Sequence, residues 1–148
     1  MQANGNKSKS KRGNEFIETV LRTLKSIKNE GIIDSINMKK YFPYADRYKP
    51  QFYAPFIVAK ENKKVLVFTM TTMRSDRNKE KQWDALGIKN YFKGEISVVV
   101  VLPDELVETE LGHYGREKRK IRQKGYFSAI DEICLLSELS RVLRTILA

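Results

Sequence analysis

The sequence predicts an α/β domain, a small central mixed sheet flanked by helices, and three observations carry that prediction. Stretches 51–60 (QFYAPFIVAK) and 64–72 (KVLVFTMTT) are rich in β-branched and aromatic residues and are separated by the polar tip Glu61-Asn62-Lys63. That is the pattern of a hairpin. The nearly unbroken apolar run 95–102 (EISVVVVL) reads as a central strand covered on both faces. Amphipathic stretches near both ends of the chain supply the covering helices.

In chain order, residues 1–13 hold Lys7, Lys9, Lys11 and Arg12 among Gly, Asn and Ser, with nothing to bury, and are expected to be a disordered basic arm. The folded domain is expected to span 14–148. Asn14 can cap a helix whose stripe is Phe16, Ile17, Val20, Leu21, Leu24 and Ile27, with Gly31 as the stop. Residues 32–50 are irregular and aromatic. Pro55 places the first hairpin strand at an edge or at a bulge. The charged segment 73–89 turns helical in its later half. Pro103-Asp104 ends the apolar strand, 116–124 is a dense basic connector, and 128–147 reads as one amphipathic helix. The resulting order is α-β-β-α-β-α, with a sheet of about four strands.

Composition narrows the chemistry. The 148 residues suit one domain, and 41% apolar with 31% charged residues suits a packed core. Lys plus Arg number 28 against 18 Asp plus Glu, a net charge of +10, which points to a polyanionic partner. A single cysteine, Cys134, and a single histidine, His113, exclude a zinc site and an internal disulfide. His113 is expected in a surface loop. No Gly-rich phosphate loop and no Gly-x-Ser-x-Gly elbow occurs. No apolar run reaches membrane-spanning length, and the basic start is no secretory signal, so a cytoplasmic protein without membrane contact is expected.

The strand order from Glu15 to Leu102, with the textures RYKPQFYAPFIV, KVLVFTMTTMRSDR and KEKQWDALGIK, resembles the PD-(D/E)xK nuclease superfamily, the fold of many type II restriction endonucleases. The resemblance implies a restriction-endonuclease-like α/β domain that uses Mg²⁺ to direct water at a phosphodiester. Such chemistry needs carboxylate ligands and a lysine. The superfamily's Pro-Asp falls at Pro50-Gln51, and its (Asp/Glu)-x-Lys falls at Thr69-Met70-Thr71, eighteen residues on. All three reactive positions are thus neutral here. Carboxylates able to replace them are Asp46, Glu18 on the first helix and Asp76 after the second hairpin strand. The implied catalytic set is Asp46, Gln51 and Glu18, and the implied metal ligands are Asp46 and Asp76. Glu61-Asn62-Lys63 copies the motif's letters but lies at the hairpin tip, and Pro103-Asp104 merely ends a strand.

Basic residues form two groups. Arg74, Arg77, Lys79, Lys81 and Lys89 surround Gln82, and Arg and Gln are the side chains that read base edges, whereas Lys anchors phosphate. Arg116, Lys118, Arg119, Lys120 and Arg122 form a phosphate-binding element. Trp83 is expected in the core. The reading is a DNA-binding type II restriction endonuclease or a subunit of one, with double-stranded DNA as partner and either a homodimer or a heteromeric nuclease assembly. Two alternatives stand beside it: a catalytically inactive nuclease-fold subunit, and an unrelated basic RNA-binding protein.

Overall fold

The computed structural model describes residues 2–42, 52–72, 75–123 and 128–148, with the backbone alone for 2–10 and 75–80. The elements run α1 (Gln2–Asn29), β1 (Ser35–Phe42), β2 (Phe52–Lys60), β3 (Lys63–Thr69), α2 (Ser75–Tyr91), β4 (Ser97–Leu102), α3 (Glu108–Arg122), β5 (Glu132–Leu135) and α4 (Leu139–Ile146). Among the described residues they make one α/β unit around a five-stranded mixed sheet of order β1-β2-β3-β4-β5.

β1, β2 and β3 form an antiparallel meander, and β4 and β5 join it in parallel. The hairpin and the central strand stand where the sequence places them. β4 lies between β3 and β5, and its side chains alternate between two cores. Val98, Val100 and Leu102 face one core with Leu66, Phe68, Ala85, Ile88 and Ile133. Val99 and Val101 face the other with Phe16, Val20, Leu24, Val142 and Leu143. Burial on both sides is why this strand is continuously apolar rather than alternating. α2 and α3 therefore cover one face, and α1 and α4 cover the other.

Several expectations are corrected. Residues 2–13, expected as a disordered arm, continue α1 back to Gln2; no proline interrupts them, and extending an existing helix costs little per residue. The region 32–50 contains β1, an edge strand whose side chains are mostly polar and half-exposed, so it lacks the apolar alternation that identifies a strand. The helix expected over 128–147 is instead β5, a short 3-10 turn at Leu136–Glu138 and α4. The apolar residues of a buried strand match a helical stripe equally well over so short a run. Residues 116–122 of the basic connector belong to α3, which also takes His113 out of its expected loop. Trp83, expected in the core, is 59% exposed.

Pro55 sits in an interior strand, yet the expected irregularity is there. The β1–β2 register pairs Met38 with Phe56 and Lys40 with Ala54, passing over Lys39 and Pro55. Lys39 has φ +54°. Phe52 and Ala54 face the α2 side, while Phe56 and Val58 face the α1 side, so the pleat reverses at Pro55. The β2–β3 pairing also stops at Phe56–Val67. Proline brings no N–H to the ladder, and the strand takes its break there.

Candidate functional site

The reversal at Pro55 shapes one end of the sheet. Residues 52–54 pair with β1 but not with β3, so the start of β2 parts from the end of β3. β3 stays with β4, and Met70 N donates to Val101 O at 3.0 Å. α2 crosses this end. Lys81 Nζ lies 5.2 Å above the Phe68 ring, and Trp83 stands 6.3 Å from Phe52. Gly87 allows the closest approach, because a Cβ there would sit 2.1 Å from the Phe52 ring.

Thr69 and Thr71, the positions matched to the nuclease motif, are half-buried at this end. Asp46, Gln51 and Arg74 lie outside the described residues. Asp76, Arg77 and Lys79 fall in the first turns of α2, where the backbone alone is described. Glu18 is exposed on α1. Among the described residues no three His, Cys, Asp or Glu side chains gather where they would hold a metal ion. The hydroxyls of Thr69 and Thr71 are neutral and offset none of a dication's charge. The described residues therefore do not suit Mg²⁺, and no cleavage step is assigned to them.

Gln82 and Lys89 of α2 are built into the fold. Gln82 donates to Ser128 Oγ and accepts from Ala129 N, both at 2.7 Å, so its amide fixes the approach to β5. Lys89 Nζ lies 2.8 Å from Asp131 Oδ2, and the same oxygen accepts from Val98 N at 2.8 Å.

α3 differs. Its first turns carry Glu108 and Glu110, and its last carry Arg119, Lys120 and Arg122, an order that complements the helix dipole. Lys118 turns inward to the hydroxyl of Tyr114 at 3.1 Å. Lys120 pairs with the buried Glu117 at 3.4 Å, and Arg122 reaches Glu132 at 3.3 Å. Arg116 and Arg119 are exposed and have no carboxylate partner among the described residues. Together with Lys120, Arg122 and Gln123 they line a shallow concavity.

Sequence reasoning missed the network that fastens α3 to β5. Tyr114 Oη donates to Glu138 Oε1 at 2.9 Å, Leu135 N donates to the same oxygen at 3.0 Å, and Arg141 meets Oε2 at 3.1 Å. Burial disfavours the Glu138 charge, but the Leu135 N–H, the Tyr114 hydroxyl, Lys118 and Arg141 together outweigh it and hold its pKa below the usual value. Tyr114 is raised, by burial first and then by Glu138. Burial, aided by Glu138 and Glu132, pushes the Cys134 thiol up to about 12. The available signal was an acid three residues after a strand end and just before an apolar helix, the spacing at which a carboxylate reaches back to a free N–H.

No protein-family model matches the chain. No curated protein matches it either. Among solved structures, protein VC1899 from Vibrio cholerae is similar in fold, with 14% identity and a TM-score of 0.51 over 85% of this chain. The chain spans about 30% of the length of VC1899. The small subunit of the heterodimeric restriction endonuclease R.BspD6I matches at 12% identity and a TM-score of 0.43, over 88% of this chain and 75% of that one. At these identities the first likeness concerns the fold alone. Among the described residues no helix is long and apolar enough to cross a membrane.

Proposed function

We propose that this chain is a DNA-binding protein of the restriction-endonuclease-like kind, a type II restriction endonuclease or a subunit of one. The observation that carries the reading is the α3 face, where Arg116 and Arg119 stand exposed beside Lys120 and Arg122 around one concavity. The guanidinium groups of Arg116 and Arg119, without a carboxylate partner among the described residues, on a chain of net charge +10 suit a phosphate backbone. The resemblance at 15–102 supplies the nuclease class.

Thr69 and Thr71 favour the subunit that binds without cutting. An active enzyme would need Asp46 to bring a carboxylate to Mg²⁺, with Gln51 beside it. Cutting both strands would also need a second copy or a different subunit, because one such domain addresses one scissile phosphate.

The test is duplex binding by anisotropy, with a plasmid assay in Mg²⁺ beside it. Affinity should fall steeply between about 50 and 200 mM salt. Arg116→Glu with Arg119→Glu should weaken every duplex alike, by about tenfold or more. No plasmid cutting supports the subunit reading. Discrete cutting abolished by Asp46→Ala makes the protein an enzyme. Tight binding to RNA with none to DNA overturns the proposal in favour of the RNA-binding alternative.

A further inference from the structure

The two ends of the sheet differ in what lies beyond them. α1 finishes beside the β2–β3 hairpin tip, where Lys60 Nζ donates to Gly31 O at 2.9 Å and Asp34 N donates to Ala59 O at 2.7 Å. Traced backwards from Ile27, α1 therefore runs toward the other end, where β3 finishes. At about 3.3 Å per residue, β3 is about 20 Å long. A helix rising about 1.5 Å per residue covers that length in about 13 residues, which reaches Asn14.

Burial agrees with this estimate. Phe16 is the first buried side chain described on α1, whereas Lys11, Arg12, Asn14 and Glu15 are exposed. Residues 2–12 of α1 thus project about 16 Å beyond the sheet, at the end that holds Thr69. The projection carries Lys7, Lys9, Lys11 and Arg12, no acid, and a single apolar residue, Ala3. Lys11 comes no closer than 4.0 Å to Glu15, and both side chains are well exposed.

We infer that this projecting part of α1 is a second contact for the backbone of duplex DNA, laid across the Thr69 end of the sheet and separate from the α3 face. The inference rests on the DNA-binding reading. Charge complementarity selects the occupant. A stretch with four cations and Ala3 as its single apolar residue gives a protein partner little to pack against. Duplex DNA offers one negative charge per about 1.7 Å of axis, so about nine lie along the length of the projection. The contact is with phosphates and carries no sequence preference.

The experiment uses the whole chain and a mixed-sequence 20-base-pair duplex, followed by fluorescence anisotropy across a salt series. Four proteins are compared: the natural chain, Lys7→Gln/Lys9→Gln/Lys11→Gln/Arg12→Gln, Arg116→Glu/Arg119→Glu, and the two sets combined. The α1 variant should lose about tenfold or more in affinity at low salt, and its log K against log salt slope should shrink by up to about 3.6, near 0.9 for each of four lost phosphate contacts. Its thermal unfolding should match that of the natural chain. The combined variant should show the product of the two losses, as separate sites do. An α1 variant with unchanged affinity and slope overturns the inference and leaves DNA binding intact. A combined loss no larger than either single loss overturns the separateness of the two contacts. A natural chain that fails to bind any duplex at about 50 mM salt overturns both readings together.

Discussion

Lys81, Gln82 and Lys89 of α2 turn their polar groups toward the Phe68 ring, the Ser128 hydroxyl and Ala129 N–H, and Asp131. Arg116 and Arg119 of α3 do the reverse and stand in solvent without a carboxylate partner among the described residues. In the sequence these two stretches look alike, each a basic run broken by a few acids. The difference is what each polar group meets. α2 crosses the parted ends of β2 and β3 and uses its polar side chains to close the fold. α3 flanks the edge strand β5 and is fastened there by Tyr114 and Glu138, with Arg116 and Arg119 on its exposed side. Lys81 and Lys89, counted with the basic residues of α2, thus have contacts within the fold.

The comparison breaks most visibly at its most tightly packed point. Gly87→Ala should destabilise the protein by about 2 kcal/mol, since the added Cβ meets a ring that cannot leave without disturbing the core. Chemical denaturation would read this directly, and an unchanged midpoint would show that α2 is held loosely. Gln82→Ala should cost a similar amount, about 2 kcal/mol, because it leaves the Ala129 N–H without its partner.

Glu138→Gln tests the fastening of α3 and should cost about 1 kcal/mol near neutral pH. The Glu138 pKa lies below its ordinary 4.5 in the folded protein. Its contribution is thus present above that value and is lost as pH falls through the lowered folded one. In the variant the acid limb of stability against pH should flatten. An identical acid limb in both proteins would remove Glu138 from the network's energetics.

The smallest effect belongs to the solvent-facing side. Arg116→Ala with Arg119→Ala should change stability by less than about 0.5 kcal/mol while weakening DNA binding. A larger loss of stability would mean that these arginines serve the fold after all, as the polar residues of α2 do.

The sheet's interior was legible because strands buried on both faces or paired in a hairpin write their environment into their own residues. β1 was not legible: Lys39 and Lys40 interrupt it, and an edge strand need bury little. β5 was hidden because Ile133 and Leu135 can be counted into a helical stripe as well as into a strand. The same limit applied to the candidate site. Charge announced α2 and α3 together, and only tertiary partners, 46 and 47 residues away in the case of Gln82, separate the structural residues from the available ones. Thr69 and Thr71 were locatable as a strand end, but the side chains that surround a strand end come from distant segments.

The reversed pleat at Lys39 and Pro55 also divides β2 in time. Residues 56–59 are paired with β1 on one side and β3 on the other, whereas 52–54 are tied to β1 alone. The first half of β2 can therefore open together with the end of β1 while the β2–β3 ladder stays closed. Amide protons of Tyr53 and Ala54 should exchange with solvent at a rate set by that local opening, and those of Ile57 and Val58 at the slower rate of global unfolding.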